Sequence, residues 1–379
     1  MIAVYCVSLL LLLVYSYSQI DLNLTLLQSA WFLNFQKSMI QLGYYNRQVS
    51  ATIYTLIILT LFLVYFRILR NINNQKISAL NVASLVLIIC FVGLFSYPAF
   101  SYDFFNYLFD GRILTKYGQN PYLFKPLDFS PDTWLRFMRW THRTYPYGPV
   151  WLMFTAPLSY IGFDKFILTV VNFKIMFVAA YVANGFIIKK IVDKIAPTKS
   201  LLAAAFYLLS PLVVLESVIS PHLDSVMTTF MLLGIWSLVL KKRFYFVVNI
   251  LLSAGIKFIT VILLLLPAFR NLDFTKKIKL SILVLFIILV PIIAQREFYP
   301  WYILPMFGLV SLICQDYLFS RLMLSLSVGL SLSYVPFLLV GSYPNEVQIA
   351  KAVLTFLPVL LFLIYLVARR TPLQKNSKI

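Results

Sequence analysis

Charge is scarce in this chain. Only 12% of its residues are Asp, Glu, Lys or Arg, against 61% hydrophobic, and mean hydropathy is +0.86. No water-soluble core needs that much apolar surface, and apolar runs long enough to span a bilayer recur. A soluble protein is therefore excluded, and an all-α polytopic membrane protein is indicated. Acidic residues are the rarer sign, 13 against 32 basic, for a net charge of +19. The basic residues are divided among short loops instead of gathered on one segment. That pattern is the positive-inside bias and not a nucleic-acid footprint. Cysteine is almost absent: Cys6, Cys90 and Cys314 all fall inside apolar runs, without metal spacing or pairing, where packing is their expected role. Both histidines, His142 and His222, lie in predicted loops. With no His/Cys cluster and no Gly-rich phosphate loop, neither a metal nor a cofactor is expected. Residues 1–20 lack a basic n-region and a small-x-small cleavage site, so they read as a retained first span. Internal repeats, linkers and low-complexity tracts are also missing, which leaves one membrane domain over 1–379.

Apolar runs fall near 2–20, 51–69, 79–100, 147–163, 166–188, 201–219, 223–240, 244–269, 279–298, 301–314, 321–341 and 346–368. Basic clusters stand at Arg67/Arg70/Lys76, Lys189/Lys190/Lys194/Lys199, Lys241/Lys242/Arg243, Arg270/Lys276/Lys277/Lys279 and Arg369/Arg370/Lys375/Lys378. Placing all of them in the cytoplasm puts both termini inside and the loop 101–146 outside. It requires that two runs do not cross in the ordinary way. Residues 147–163 are short and carry Pro149 and Pro157, so a re-entrant or interfacial segment is expected. Residues 244–269 have basic clusters at both ends and Gly255 and Lys257 in the middle, which reads as a hairpin of two short halves with an outward tip.

The polar loop 101–146 opens on Asp103. Asp103 and Asp110 are seven apart, so a helix would put them on one face about 10 Å apart, with Tyr107 between them. One carboxylate could serve as general base while the other binds sugar hydroxyls or Arg112. The plain alternative is that Asp103 caps a helix and Asp110 pairs with Arg112 in water. Gly118–Tyr122 is a turn signal. Trp134, Arg136, Arg139, Trp140, His142, Arg143, Tyr145 and Tyr147 form an aromatic and basic cluster, suited either to interfacial anchoring or to a phosphate diester. His222 and Asp224 sit in a minimal turn close to hydrocarbon, where such residues either face a cavity or cap a helix. Lys257, in mid-run, calls for an anion. In 295–302, Arg296 and Glu297 can neutralise each other, with Tyr299, Trp301 and Tyr302 as interfacial belt. Lys174 has no assigned role.

The order of these blocks is informative. Asp103-Phe-Phe-Asn-Tyr-Leu-Phe-Asp110-Gly-Arg112 is followed by Asn120-Pro-Tyr122, Tyr145-Pro-Tyr147-Gly-Pro149 and Pro221-His222-Leu-Asp224-Ser225. Gly255-Ile-Lys257 and Glu297-Phe-Tyr-Pro-Trp301-Tyr302 complete the series. The chain resembles the GT-C integral-membrane glycosyltransferases that use polyprenyl-phosphate sugars. Among these it is most similar to bacterial polyprenol-phosphate-mannose-dependent α-mannosyltransferases and the first mannosyltransferase of glycosylphosphatidylinositol assembly. The resemblance covers 80–302, and the flanks only as generic spans. It implies a bundle of about ten to twelve transmembrane or re-entrant helices with an early extracytoplasmic loop. Spans in 1–78 would be accessory, 79–302 the catalytic core and 303–379 the C-terminal spans. By the resemblance, Asp103 is the catalytic base and Asp110 the second acidic position. Arg112, Tyr107, Arg143, Tyr147, His222, Asp224, Lys257, Arg296, Trp301 and Tyr302 are the candidate substrate-binding residues, with Lys257 foremost for the lipid phosphate. The Asp-x-Asp form of some relatives is absent.

The implied reaction is inverting transfer of a hexose, mannose first, from a polyprenyl-phosphate donor to a glycan or glycolipid acceptor. It would occur on the outer face of a prokaryotic plasma membrane. A transporter or flippase of lipid-linked sugars would instead carry charges within several spans and repeated halves. A polysaccharide polymerase or ligase would place its large loop late in the chain.

Overall fold

Helix succeeds helix along the chain, in the order the apolar runs and their breakers dictate. The computed structural model describes residues 1–370, and Lys375 and Lys378 of the expected basic tail lie outside them. The first element, α1 (Ile2–Ser16), ends in a 3-10 turn, and α2 (Ala30–Ile40) runs through a π turn into α3 (Arg47–Asn73). Next, α4 (Ala79–Phe95) begins at a capping box in which the Ser78 and Asn81 side chains accept each other's backbone N–H. The polar loop contains α5 (Asp103–Thr115) and two short 3-10 turns, and Pro149 then opens α6 (Pro149–Tyr160). The long α7 (Phe166–Ile195) is followed by α8 (Ser200–Leu208) and α9 (Pro211–Val214), which continues as a π-helix over Leu215–Ile219. Then come α10 (Asp224–Val239), α11 (Arg243–Ala254), a 3-10 run Phe258–Ala268 and α12 (Phe274–Gln295). The chain finishes with α13 (Leu304–Leu312), α14 (Tyr317–Leu332), α15 (Val335–Val340) and α16 (Asn345–Arg370). Among the described residues there is no strand.

The protein is an integral membrane protein. Among the described residues, six helices are long and apolar enough to cross a bilayer, or seven if the α8–α9 pair, bent by 53°, is one span. The expected ten to twelve is reached only if shorter apolar helices such as Ala79–Phe95 and Asp224–Val239 are counted as well. Helix α2 lies between the first two apolar runs, in a stretch that hydropathy does not mark as a span.

Ser210-Pro211 breaks the span because proline lacks an N–H and forces the residue before it out of the helix. The carbonyls stranded at the break are satisfied by tyrosines from three other helices. Tyr5 donates to the Leu209 carbonyl and Tyr65 to the Phe206 carbonyl, each at 2.6 Å, and Tyr181 donates to that of Leu208. In hydrocarbon an unpaired carbonyl costs several kcal/mol, about as much as a buried side chain contributes, so these hydroxyls are what makes the kink tolerable. The 244–269 run is likewise interrupted, at Gly255–Lys257, between α11 and the 3-10 run. A second core lies apart from the bundle's, built by Phe104, Tyr107 and Phe109 of α5 on Trp151 of α6 and Phe173 and Phe177 of α7. That core fixes the polar loop to the spans.

Candidate active site

Asp103 is the first residue of α5, and the helix runs on through Asp110 as the spacing predicts. The stripe 103–107–110 faces the loop segment 140–147. Trp140 donates its indole N–H to Asp103 Oδ1 at 2.8 Å, and Asn106 on the same face donates to the Trp140 carbonyl at 3.3 Å. The Tyr107 ring meets Tyr147 at 5.5 Å and Trp151 at 5.2 Å, both edge-on. Asp110 is 4% exposed and forms no hydrogen bond or ion pair among the described residues. Burial pushes its carboxyl up to about 8, opposed by the positive charge of Arg143 and reinforced by Asp103.

Arg112 does not join this group. Two residues beyond Asp110, it points about 200° around the helix axis from that carboxyl. Its Nε bonds Asp132 Oδ2 at 2.6 Å, its fork also pairs with Asp164, and its plane lies 3.9 Å over Trp134. Burial alone would raise the Asp132 carboxyl. Bonds from Arg112, the Tyr117 hydroxyl and the Trp134 N–H outweigh it and hold the group below the ordinary carboxylate range. The expected Asp110–Arg112 pair is thus absent, and Arg112 braces the far side of the loop.

The loop is held at three places. The Asn120 side chain accepts the Tyr122 N–H at 3.0 Å, and the Tyr122 hydroxyl bonds the Tyr147 carbonyl at 3.0 Å, so the turn positions Tyr147. Arg139 reaches both Asp21 (3.3 Å) and the Tyr102 hydroxyl (3.2 Å), tying the loop to the end of the first span. At its exit, the Gly148 and Val150 N–H groups bond the Ile256 and Gly255 carbonyls at 3.0 Å each. The last contact joins the loop to the break that carries Lys257.

The opposite wall comes from the Pro221–Asp224 turn. Lys257 Nζ lies 2.9 Å from Asp224 Oδ1 and 4.7 Å from the Tyr302 ring centroid. Its charge thus has the anion that the sequence called for, here supplied by the protein. The Tyr107 and Tyr302 hydroxyls each lie within electrostatic reach of both Asp103 and Asp224, which brings the Asp103 stripe close to the Asp224–Lys257 pair. His222 is fully buried, stacked 3.8 Å from Trp301, which in turn stacks 4.6 Å from Tyr299. Arg143 lies over Trp140 at 4.8 Å, half-buried, and Arg296 is exposed beside Tyr299. Glu297 pairs with Lys351 of α16 and not with Arg296.

Two residues behind the wall had no assigned role in the sequence. Glu216, fully buried, accepts from the Tyr334 hydroxyl at 2.8 Å and lies 3.2 Å from His222 Nδ1, off the line of a hydrogen bond. Lys174, 1% exposed, donates to Ser96 Oγ and to the Val218 and Ile219 carbonyls at 3.1 to 3.3 Å. Those carbonyls end the π-helix, so Lys174 satisfies acceptors that have no helical partner. Glu216 and Lys174 are single charges inside apolar runs, which is the signal by which they could have been found.

Residues 10–270 match the family model for the N-terminal domain of the MptA/B alpha-(1->6)-mannopyranosyltransferases. The match takes in the second half of the first span as well as the polar loop and the Lys257 break. Over 145 residues the chain is 31% identical to alpha-(1->6)-mannopyranosyltransferase B of Corynebacterium glutamicum, a stretch that covers 36% of this chain and 23% of that protein. No solved structure matches. By the extent of the first match, which takes in well over half of its length, the chain belongs to the MptA/B family of alpha-(1->6)-mannopyranosyltransferases.

Proposed function

We propose that this protein is a membrane glycosyltransferase that moves a mannosyl unit from a polyprenyl-phosphate donor to a glycan or glycolipid acceptor. The reading rests most on one observation: Tyr107 and Tyr302 each lie within electrostatic reach of both Asp103 and Asp224, and Asp224 pairs with Lys257 at 2.9 Å. Family membership and the apolar surface of the spans support the choice of substrates. In the proposed reaction Asp103 takes the proton of an acceptor hydroxyl as its oxygen attacks the anomeric carbon from the face opposite the phosphate. The bond from that carbon to the phosphate oxygen breaks, and the lipid phosphate leaves with the electron pair. Configuration inverts in the single displacement. A phosphate is a fair leaving group, so positive charge from Lys257, Arg143 or Arg296 replaces a general acid. Asp110, mostly protonated at neutral pH, donates a hydrogen bond to a sugar hydroxyl instead of competing for the proton. Tyr107, Tyr147, Trp301 and Tyr302 form the walls of the sugar site, and His222 backs Trp301.

The proposed topology puts this site outside and both termini in the cytoplasm. It is supported by the gathering of Arg67, Arg70 and Lys199 around one cavity and by the contact of Met1 with Asn71 beside it. The test is direct. Purified protein in lipid is given polyprenyl-phosphate mannose and an α-mannan oligosaccharide acceptor, and released polyprenyl phosphate and extended glycan are measured. Release of neither, with donor shown to be intact, would refute the reading.

A further inference from the structure

A cavity of about 740 Å³ opens between α3, α8 and α14. It lies at the end of α3 where α4 begins, and α4 then runs 17 residues, about 26 Å, before the chain turns toward Asp103. The cavity is therefore on the far side of the membrane domain from the candidate active site. Arg67, Arg70, Lys199 and Arg321 line it, and among the described residues no Asp or Glu does. Nearby carboxylates are already engaged, Asp193 by Lys189 at 2.7 Å and Asp316 by Lys279 at 2.6 Å. Lys199 is oriented by a bond to Asn73 Oδ1 at 2.9 Å. Four cations around one cavity, with no facing carboxylate among the described residues, make a positive field that attracts an anion.

The rest of the lining decides which anion. Phe66, Leu202 and Leu324 make an apolar floor. From Phe66 the lipid-facing side of α3 continues through Leu63, Leu59 and Leu56, which are 60%, 38% and 60% exposed. Residues at this spacing form one stripe along a helix, leading from the cations toward the middle of the bilayer. A soluble phosphate has no use for that stripe, and a phospholipid acyl chain does.

We propose that this cavity binds the phosphate diester headgroup of one anionic phospholipid, with an acyl chain along Leu63, Leu59 and Leu56 of α3. On the topology proposed above the lipid belongs to the cytoplasmic leaflet, but the binding itself does not depend on the transfer chemistry. Basic pockets between spans at headgroup level are the usual form of such sites.

The experiment is native mass spectrometry of the full-length protein offered dioleoyl phosphatidylglycerol or dioleoyl phosphatidylcholine. The phosphatidylglycerol adduct should survive activation as a single bound lipid, and the phosphatidylcholine adduct should not. Arg67→Gln with Arg70→Gln should weaken retention about thirtyfold, while Arg67→Lys with Arg70→Lys keeps most of it. Lys241→Gln with Lys242→Gln, which removes the same charge elsewhere, should leave it unchanged. If the glutamine pair does not fold, Arg321→Gln alone carries the comparison. Equal retention of both lipids, or unchanged retention in the glutamine variants, overturns the proposal. Displacement by inorganic phosphate at matched concentration overturns it as well, by making the cavity a site for soluble anions.

Discussion

Gly148 and Gly255 meet backbone to backbone. A Cβ on Gly148 would lie 2.1 Å from the Gly255 carbonyl oxygen, and one on Gly255 would lie 2.4 Å from Val150 Cγ2. Neither position admits a side chain, and the contact joins the end of the polar loop to the break that carries Lys257. Gly148→Ala is expected to destabilise the protein by ~1–3 kcal/mol, the usual range for overpacking, and to slow transfer by more than tenfold. Thermal unfolding and initial rates on the purified variant check both. A variant with wild-type melting and rate would mean that the contact does not align the site.

Asp103→Asn should abolish transfer while leaving expression and elution unchanged. Trp140→Phe keeps an aromatic ring but removes the N–H that bonds Asp103. A hydrogen bond to a charged group contributes roughly 1.5–3 kcal/mol, so the rate should fall on the order of tenfold to a hundredfold. Substantial residual turnover in Asp103→Asn would remove that residue from the role of base.

Burial that lifts Asp110 to about 8 means that the folded protein keeps a proton which the unfolded chain has lost. Below the unfolded carboxylate range both states are protonated and the contribution to stability is complete. As pH rises from there through about 8, stability is lost. The melting temperature of the wild type should therefore fall, relative to Asp110→Asn, between pH 5 and roughly pH 8.5, the interval that brackets the folded value. Two parallel profiles would show that Asp110 ionises normally.

Asp224 and Lys257 separate stability from catalysis. Lys257→Met leaves the Asp224 carboxylate buried without its partner and should cost about 3–5 kcal/mol. Adding Asp224→Asn removes the stranded charge and should restore most of the melting temperature. Activity should stay lost in the double variant, because the positive charge proposed to meet the leaving phosphate is gone. Recovered turnover in that variant would exclude Lys257 from the reaction.

Much of this arrangement is legible in the sequence because it depends on local spacing. Asp103, Tyr107 and Asp110 share a face as any i, i+4, i+7 set on a helix must, and Gly255–Lys257 interrupts its run where the glycine and lysine stand. What the sequence conceals is partnership over long separations. Arg112 is taken by Asp132 and Asp164, and Glu297 by Lys351, so the nearer pairings expected for both fail. Lys174 is stabilised by backbone carbonyls that the end of the π-helix at Ile219 leaves without helical partners, and no side-chain pattern announces those. Helix α2 is hidden for a different reason: it is too short and polar to register as a span, and it packs against the end of α1.

The π-helix at Leu215–Ile219 holds one residue more per turn than an α-helix would. Five residues at that wider pitch turn the chain about as far as four in an α-helix, so deleting one residue there would let the segment wind down with its neighbours facing nearly as before. What would go is the wide turn itself, whose Val218 and Ile219 carbonyls meet the Lys174 ammonium. The surplus residue thus opens the backbone to a cation that a regular helix, its carbonyls already taken, would leave stranded in the bundle.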